Sequence, residues 1–232
     1  MTDIAAMDEG LKGDIASSCA ARSDFYRFLA GIFLYELTDA QIETVAATRF
    51  PQDGGAIGEG YARIAEYMRH RDTGTRQELA VDYARVFLGA GQYDKITAPP
   101  YESVYTSEDH LLMQDARDGA LKHYRAEGLD LPEENTTPED HVGFEMQFMA
   151  TLIERTADAL EAGDGARFDE LVQRQRSFFE EHLANWLPAF AGDIDRFCKT
   201  EFYHGIADLV RGLLEEERAV LDDLADVVNA AA

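Results

Sequence analysis

Apolar side chains recur every three or four residues along most of this chain, the spacing that places them on one face of an α-helix. The pattern is clearest from Ile15 to Leu37, from Ile57 to Arg71 and from Phe197 to Leu213. Alternation of apolar and polar residues, which is typical of a half-buried strand, never extends beyond a few residues. The chain is therefore predicted to be all-α: a single helical-bundle domain, residues 1–232, of about ten helices.

Capping and helix-breaking residues mark the predicted boundaries. Thr38–Gln41 and Thr75–Glu78 have the spacing of a capping box, which starts a helix. Gly163–Gly165 is expected to separate two helices, and Pro188 to end the second of them. The acidic segment that begins at Glu215 is predicted to be an amphipathic tail with a solvated face.

The stretch after residue 135 has the composition of a helix start. Thr137 is expected to be the N-cap and Pro138 the first helical residue, where its missing N–H costs nothing. Glu139 and Asp140 place negative charge against the positive end of the helix dipole, and Asp140 also has a capping-box-like spacing with Thr137. His141 and the apolar residues after it predict a central, largely buried helix.

The segment Ala98–Tyr105 contains Pro99 and Pro100 and is predicted to run extended across the surface or in a groove. Prolines beside aromatic residues in a loop are typical of a binding surface, but these residues alone favour a stiff connector whose rings are buried. Both interpretations stay open from these residues alone. A helix is expected to resume near Ser107.

The charge balance limits the possible partners. Forty-five acidic residues against twenty-one basic ones give a net charge of −24, which argues against binding nucleic acid or an anionic membrane surface. A basic partner fits this charge. Because lysine is scarce and the acids are spread along the chain, adaptation to high salt would also explain it.

The sequence has no feature of an exported or membrane protein. Cys19 and Cys198 form no Cys-x-x-Cys pair, and Met1–Gly13 lacks the basic and apolar regions of a secretory signal. The longest apolar run, Phe25–Leu37, is too short to span a bilayer and contains charged residues. A cytoplasmic protein without membrane insertion is expected.

Spacings typical of enzymes are missing or incomplete. A di-iron bundle needs two Glu-x-x-His motifs, and this chain has one, Glu201–His204. His141 and Glu145 supply two potential ligands but not a set. Because no phosphate-binding loop or nucleophile elbow occurs either, no catalytic residue, cofactor or metal site is predicted, and a metal-dependent helical enzyme is the weaker alternative.

Four motifs in a fixed order resemble the TorD/DmsD/NarJ family, the cytoplasmic chaperones of redox-enzyme maturation. They are Tyr83-Ala-Arg-Val86-Phe87, Pro100-Tyr101-Glu102-Ser103-Val104-Tyr105, Pro138-Glu139-Asp140-His141 and Phe179-Glu-Glu-His182-Leu183-Ala-Asn-Trp186-Leu-Pro188. One departure concerns the third motif. The family usually has an acidic residue just before its proline, where this chain has Thr136 and Thr137.

The resemblance implies an all-helical chaperone that binds the N-terminal signal peptide of a molybdopterin-containing oxidoreductase, usually a twin-arginine peptide. The chaperone would hold the apoenzyme until cofactor insertion, before export. Carboxylates beside an apolar wall are what such a peptide requires. The residues assigned to signal-peptide binding are Tyr83, Val86, Phe87, Pro100, Tyr101, Glu102, Ser103, Tyr105, Glu139, Asp140 and His141.

Two alternatives concern the client and the assembly. A NarJ-like chaperone would attend a molybdoenzyme that stays in the cytoplasm and has no functional twin-arginine pair. The polar loop 129–136 is expected to join an N-terminal part, about residues 14–128, to a C-terminal part, residues 137–232. Exchange of these parts would give a domain-swapped homodimer in place of a monomer.

Overall fold

The computed structural model describes residues 1–50, 54–90 and 97–230. Within them a short 3₁₀ turn, Ile4–Ala6, precedes ten α-helices. The helices are α1 (Glu9–Leu34), α2 (Asp39–Ala47), α3 (Gly55–Arg69), α4 (Thr75–Phe87), α5 (Glu102–Thr106), α6 (Asp115–Ala126), α7 (Val142–Ala162), α8 (Gly165–His182), α9 (Leu187–Phe197) and α10 (Glu201–Ala230). The all-α prediction is confirmed. None of the described helices has the length and apolarity needed to cross a membrane.

Helix α7 lies at the centre of the bundle. Buried apolar residues cover most of its circumference; they include Val142, Met146, Phe148, Met149, Leu152, Ile153 and Leu160. Helices α1 and α8 both pack along α7, while α3 packs along α10. Helices on either side of the 129–136 loop therefore share one core. The division into two parts and their exchange between chains stay predictions.

The start of α6 and the end of α8 differ from the prediction. Helix α6 begins at Asp115 and not near Ser107, because residues 107–114 form an irregular turn. Helix α8 ends at His182, and Pro188 lies in the first turn of α9 instead of ending α8. Proline is well placed there because the first helical N–H groups have no partner within the helix.

The two predicted capping boxes have different outcomes. Thr38 and Gln41 form one: each side chain accepts a hydrogen bond from the backbone N–H of the other. The box at Thr75 is wrong. The hydroxyl oxygen of Thr75 accepts a hydrogen bond from the Asp72 N–H at 2.8 Å. The carboxylate of Glu78 accepts a hydrogen bond from the hydroxyl of Tyr67 on α3 at 2.7 Å. The two side chains that a capping box requires are therefore hydrogen-bonded to residues outside α4.

A buried polar network ties α10 to three other helices. The acidic tail is the second half of α10, and the prediction of a solvated face is wrong for Glu217, which is 1% exposed. This residue follows Leu213 by one helical turn and so lies on the apolar face. It accepts from Nε and Nη2 of Arg22 on α1, and Nη2 also donates to Gln175 on α8 at 2.7 Å. The Gln175 amide donates to Thr156 on α7.

Gly205 should be intolerant of any side chain, because α10 and α3 are in close contact there. A Cβ at this position would lie 2.8 Å from the carbonyl oxygen of Gly60 and 2.7 Å from Ile64. We expect Gly205→Ala to lower the free energy of unfolding by about 1–3 kcal/mol through overpacking. At Gly192, where no atom lies within 4 Å of the added Cβ, alanine should raise it by about 0.5–1 kcal/mol. Urea denaturation of both variants measures this contrast, and equal effects would contradict the close contact.

Candidate functional site

The second and third motifs meet as two antiparallel segments of backbone. Tyr101 and His141 form a single β-bridge. The Glu102 N–H donates to the carbonyl of Asp140 at 3.0 Å, and the Val142 N–H donates to the carbonyl of Pro100 at 2.9 Å. The proline segment is therefore extended only as far as Tyr101, after which the short helix α5 begins. Its expected extended course through residue 105 is wrong.

Asp140 caps α5 and not the central helix. Its side chain is fully buried, and one carboxylate oxygen accepts from the Ser103 N–H at 2.9 Å, in the first turn of α5. The other carboxylate oxygen has no hydrogen-bond partner among the residues that the structure describes. The predicted pairing of Asp140 with Thr137 in a capping box is wrong, because the chain turns between Pro138 and His141 before α7 begins.

His141 is the N-cap of α7 in place of Thr137. Its Nδ1 accepts from the Gly143 N–H at 3.0 Å. Burial lowers the pKa of His141 to about 4, so the ring is uncharged at neutral pH and Nδ1 is free to accept this bond. The ring also packs edge-on against Tyr101, with 5.0 Å between centroids. The histidine of the third motif therefore has a structural role at this junction.

Residues of the fourth motif contact the second motif at the carboxylate of Glu102. This carboxylate is 2% exposed and lies near His182 Nδ1 at 2.8 Å and Asn185 Nδ2 at 2.9 Å. The Trp186 indole donates to the carbonyl of His182 at 2.7 Å and packs against the Tyr105 ring. His182 is buried among aromatic residues and contacts the carboxyl group of Glu102.

The first motif completes this arrangement from α4. The carbonyl of Val86 accepts from the Ala98 N–H at 2.9 Å, which holds the start of the proline segment. Phe87 and Tyr105 both contact the ring of Phe190 on α9, with centroid distances of 6.1 and 6.0 Å. We call the four connected segments, residues 83–87, 100–105, 138–142 and 179–188, the motif platform.

Most residues of the predicted binding site are buried in this platform. Tyr101, Tyr105 and Glu139 are partly exposed. Glu139 is ion-paired with Arg117 of α6, and this hydrogen bond lowers the pKa of Glu139. The buried members are Tyr83, Val86, Phe87, Pro100, Glu102, Ser103, Asp140 and His141. The structure brings the predicted residues together, but it does not present their carboxylates along an open groove.

Glu145 is a second buried carboxyl group beside Glu102. It is fully buried, and within the described part of the chain neither of its oxygens has a hydrogen-bond donor. Burial and the neighbouring charge of Glu102 raise its pKa well above the ordinary value of a glutamate. A protonated Glu145 can donate its proton to Glu102, which would satisfy both groups.

Glu145→Gln should make the protein more stable than the wild type as pH rises. The folded pKa of Glu145 lies above the unfolded value of 4.5, so its stabilising contribution is fully present below that pH and is lost as pH rises through the folded pKa. Glutamine mimics the protonated acid and does not titrate. The difference in unfolding free energy should grow by at most about 1.4 kcal/mol per pH unit.

Urea denaturation between pH 5 and pH 8 measures this effect, with Glu161→Gln on the exposed side of α7 as the control. A difference between Glu145→Gln and wild type that does not change with pH would show that Glu145 is ionised in the folded protein.

An exposed apolar turn lies directly on the platform. In residues 107–114, Leu111, Leu112 and Met113 are 55%, 46% and 61% exposed. The turn is fixed from below: the Gln114 N–H donates to the Ser103 hydroxyl at 3.1 Å, and His110 Nδ1 lies 2.7 Å from the carbonyl oxygen of Val104. Sequence reasoning missed this surface because it assigned these residues to a helix. Three consecutive apolar residues flanked by acids were the available signal.

Two sets of metal-ligating side chains occur within residues 1–50, 54–90 and 97–230. One consists of His123, Glu181 and His182, and the other of Glu102, Glu145 and His182. His204 is in neither set, and its Nδ1 lies 2.6 Å from a carboxylate oxygen of Asp195.

Comparison with known proteins gives consistent matches. A family profile described as nitrate reductase delta subunit matches residues 51–192. The chaperone protein TorD of Psychrobacter sp. (strain PRwf-1) is 29% identical over 216 residues, which cover 89% of this chain and 94% of that protein. TorD of Photobacterium profundum is 30% identical over 209 residues, 86% of this chain and 94% of its own length. TorD of Vibrio cholerae (strain O395) is 28% identical over 88% of this chain and 93% of its own.

Among solved structures, a redox enzyme maturation protein from Archaeoglobus fulgidus, described as putative, aligns with a TM-score of 0.40 and 21% identity, covering 68% of this chain and 91% of its own. The part of this chain that matches the profile is more than half of its length, and all four motifs lie within it. The chain therefore belongs to the nitrate reductase delta subunit family, the TorD/DmsD/NarJ family of redox-enzyme maturation chaperones.

Proposed function

We propose that this protein binds the N-terminal leader peptide of a molybdopterin-containing oxidoreductase in the cytoplasm and holds the apo form of that subunit for cofactor insertion. The observation that carries this proposal is the apolar turn, residues 107–114, fixed on the motif platform. A cluster of large exposed apolar side chains on a folded domain is typical of a protein-binding surface. Relatives named as chaperones match most of the chain.

The charge around the turn fits a peptide that combines arginines with an apolar stretch. Residues 97–116 contain no lysine or arginine. Glu108 and Asp109 precede the apolar side chains, Asp115 follows them, and all three are exposed. A guanidinium group can pair with such carboxylates while the neighbouring apolar residues cover Leu111–Met113. Within a few residues, the turn therefore has carboxylates that can pair with the arginines of a twin-arginine leader and an apolar surface that can contact its apolar stretch.

Asp140 is assigned an indirect role in this proposal. It is fully buried and holds α5, the helix that carries the anchors of the turn. A leader arginine would reach its carboxylate only if α5 moved away. We therefore place the arginine contacts on the exposed carboxylates, with Tyr101, Tyr105 and Glu139 as the partly exposed members of the predicted set.

Isothermal titration calorimetry against the leader of a molybdoenzyme subunit encoded next to this protein tests the proposal. We expect saturable binding with a Kd of about 1 µM, equivalent to about −8 kcal/mol. Replacing the leader arginines by lysine should weaken it, since lysine cannot make the two-pronged contact. Absence of saturable heat at about 100 µM peptide would exclude leader binding.

The NarJ-like alternative uses the same surface with a different client. A leader whose arginines are replaced by alanine distinguishes the two. Equal affinity for both peptides would favour a client that stays in the cytoplasm, whereas a loss of about tenfold or more favours a twin-arginine client. Light scattering of the chaperone alone tests the predicted monomer or exchanged dimer.

A further inference from the structure

Three metal-ligating side chains meet between α6 and α8. His123 of α6 lies beside Glu181 and His182 at the end of α8, and one potential ligand atom from each lies within 4.8 Å of the others. His123 Nε2 is 3.2 Å from a carboxylate oxygen of Glu181. The His123 and His182 rings are 5.1 Å apart between centroids.

We propose that His123, Glu181 and His182 form a binding site for a divalent transition-metal ion such as Zn²⁺. Two imidazoles and one carboxylate are a ligand set that zinc takes in proteins, with a fourth position left for water or another ligand. Ligand atoms around a tetrahedral zinc are roughly 3.3 Å apart when the bonds are about 2.0–2.1 Å long. The 3.2 Å between His123 and Glu181 matches this separation.

The surroundings of His182 are those of an oriented ligand. Its Nδ1 lies 2.8 Å from the buried carboxylate of Glu102, whose other oxygen accepts from Asn185. With Nδ1 held in this way, Nε2 is the nitrogen that can bind a metal. Metal-ligating histidines commonly donate their second N–H to a carboxylate, which fixes both tautomer and ring orientation. Gly119 permits the close approach of α6, since a Cβ there would lie 2.7 Å from the imidazole.

The carboxylate of Glu181 is also positioned. The Ser177 hydroxyl donates to one of its oxygens at 2.6 Å, and this leaves the other facing His123. Glu181 and His123 line a surface cleft together with Lys122 and Arg174. Arg174 is paired with Glu170 at 2.6 Å. A metal ion can therefore reach the site from solvent.

The inner set, Glu102, Glu145 and His182, is the less suitable of the two. All three residues are buried, and a metal there would have to replace the contact between His182 Nδ1 and Glu102. In the outer set that contact is retained and supports the ligand. The same histidine thus connects a cleft at the surface with the buried carboxylates of the motif platform.

Metal content and zinc titration of the tag-free full chain test the proposal. After dialysis against Zn²⁺ and then buffer, elemental analysis should find about one zinc per chain, as a single site requires. His123→Asn and Glu181→Gln, both at partly exposed or exposed positions, should remove it without unfolding the protein. The matched control is His204→Asn, which breaks a histidine–aspartate pair outside the cluster and should leave zinc binding unchanged.

Glu102→Gln tests the orienting role and should weaken zinc affinity by about 10–100-fold. Titration with Co²⁺, whose visible spectrum reports the ligands, provides a second measurement. The proposal is overturned if His123→Asn binds as much zinc as the His204→Asn control. It is also overturned if Glu145→Gln abolishes binding while His123→Asn does not, since the metal would then occupy the inner set. Neither result bears on leader binding.

Discussion

Replacing Glu217 with alanine should lower the free energy of unfolding by about 3–5 kcal/mol. Glu217 is 1% exposed, and Arg22 is 10% exposed. Removing the carboxylate leaves the guanidinium buried without its charge partner, and among the described residues the amide oxygen of Gln175 is then the remaining acceptor of its hydrogen bonds. The loss should come from this stranded charge and much less from the attraction between the two groups.

Urea denaturation at pH 7 measures the effect. Glu215→Ala is the control because it removes an exposed carboxylate from the same helix; it should change the unfolding free energy by less than about 0.5 kcal/mol. The paired replacement Arg22→Met with Glu217→Leu should recover most of the stability, since apolar residues of similar volume can replace a buried ion pair. A loss below about 1 kcal/mol for Glu217→Ala would show that water reaches Arg22.

Replacing the three apolar residues of the turn should weaken leader binding about a hundredfold. Leu111, Leu112 and Met113 each have about half of their surface exposed. Full burial of such a side chain contributes about 1.5–3 kcal/mol, so covering the exposed halves amounts to roughly 3 kcal/mol in total. In a variant with serine at all three positions this contribution is lost, and a loss of that size corresponds to about a hundredfold in Kd.

Calorimetry with the same leader measures the change. The matched control carries Leu11→Ser and Val81→Ser, two apolar residues that are 40% and 52% exposed at other places on the surface. Circular dichroism should show unchanged helix content and melting for both proteins. If the control and the serine variant bind the leader equally well, the turn is not the binding surface.

Sequence reasoning predicted the elements whose signals are local. Thr38 and Gln41 cap α2 as their spacing indicates, and Gly163 ends α7 with a φ of 70°, a conformation that suits glycine. It failed where a distant residue competes for the same group. Glu78 has capping-box spacing with Thr75, but its carboxylate accepts a hydrogen bond from the Tyr67 hydroxyl of α3. These tertiary partners cannot be deduced from neighbouring residues.

The same limit applies to the candidate sites. The order of the four motifs predicts the family and therefore which segments matter, but not that α5 is capped by Asp140 from 37 residues away. The sequence around Glu102 does not distinguish a buried glutamate from an exposed one. The contacts of its carboxylate with His182 and Asn185 in the folded protein show that it is buried. His123 and Glu181 are 58 residues apart. No short spacing motif could have joined them.

Hydrogen–deuterium exchange of the chaperone, alone and saturated with leader peptide, tests the central claim most directly. The account predicts slower exchange in residues 107–114 and in α5 below them, with no change in the solvent-facing end of α10, residues 218–229. Protection confined to another surface, such as the groove lined by Leu129, Leu131 and Phe144, with none in the apolar turn, would contradict it.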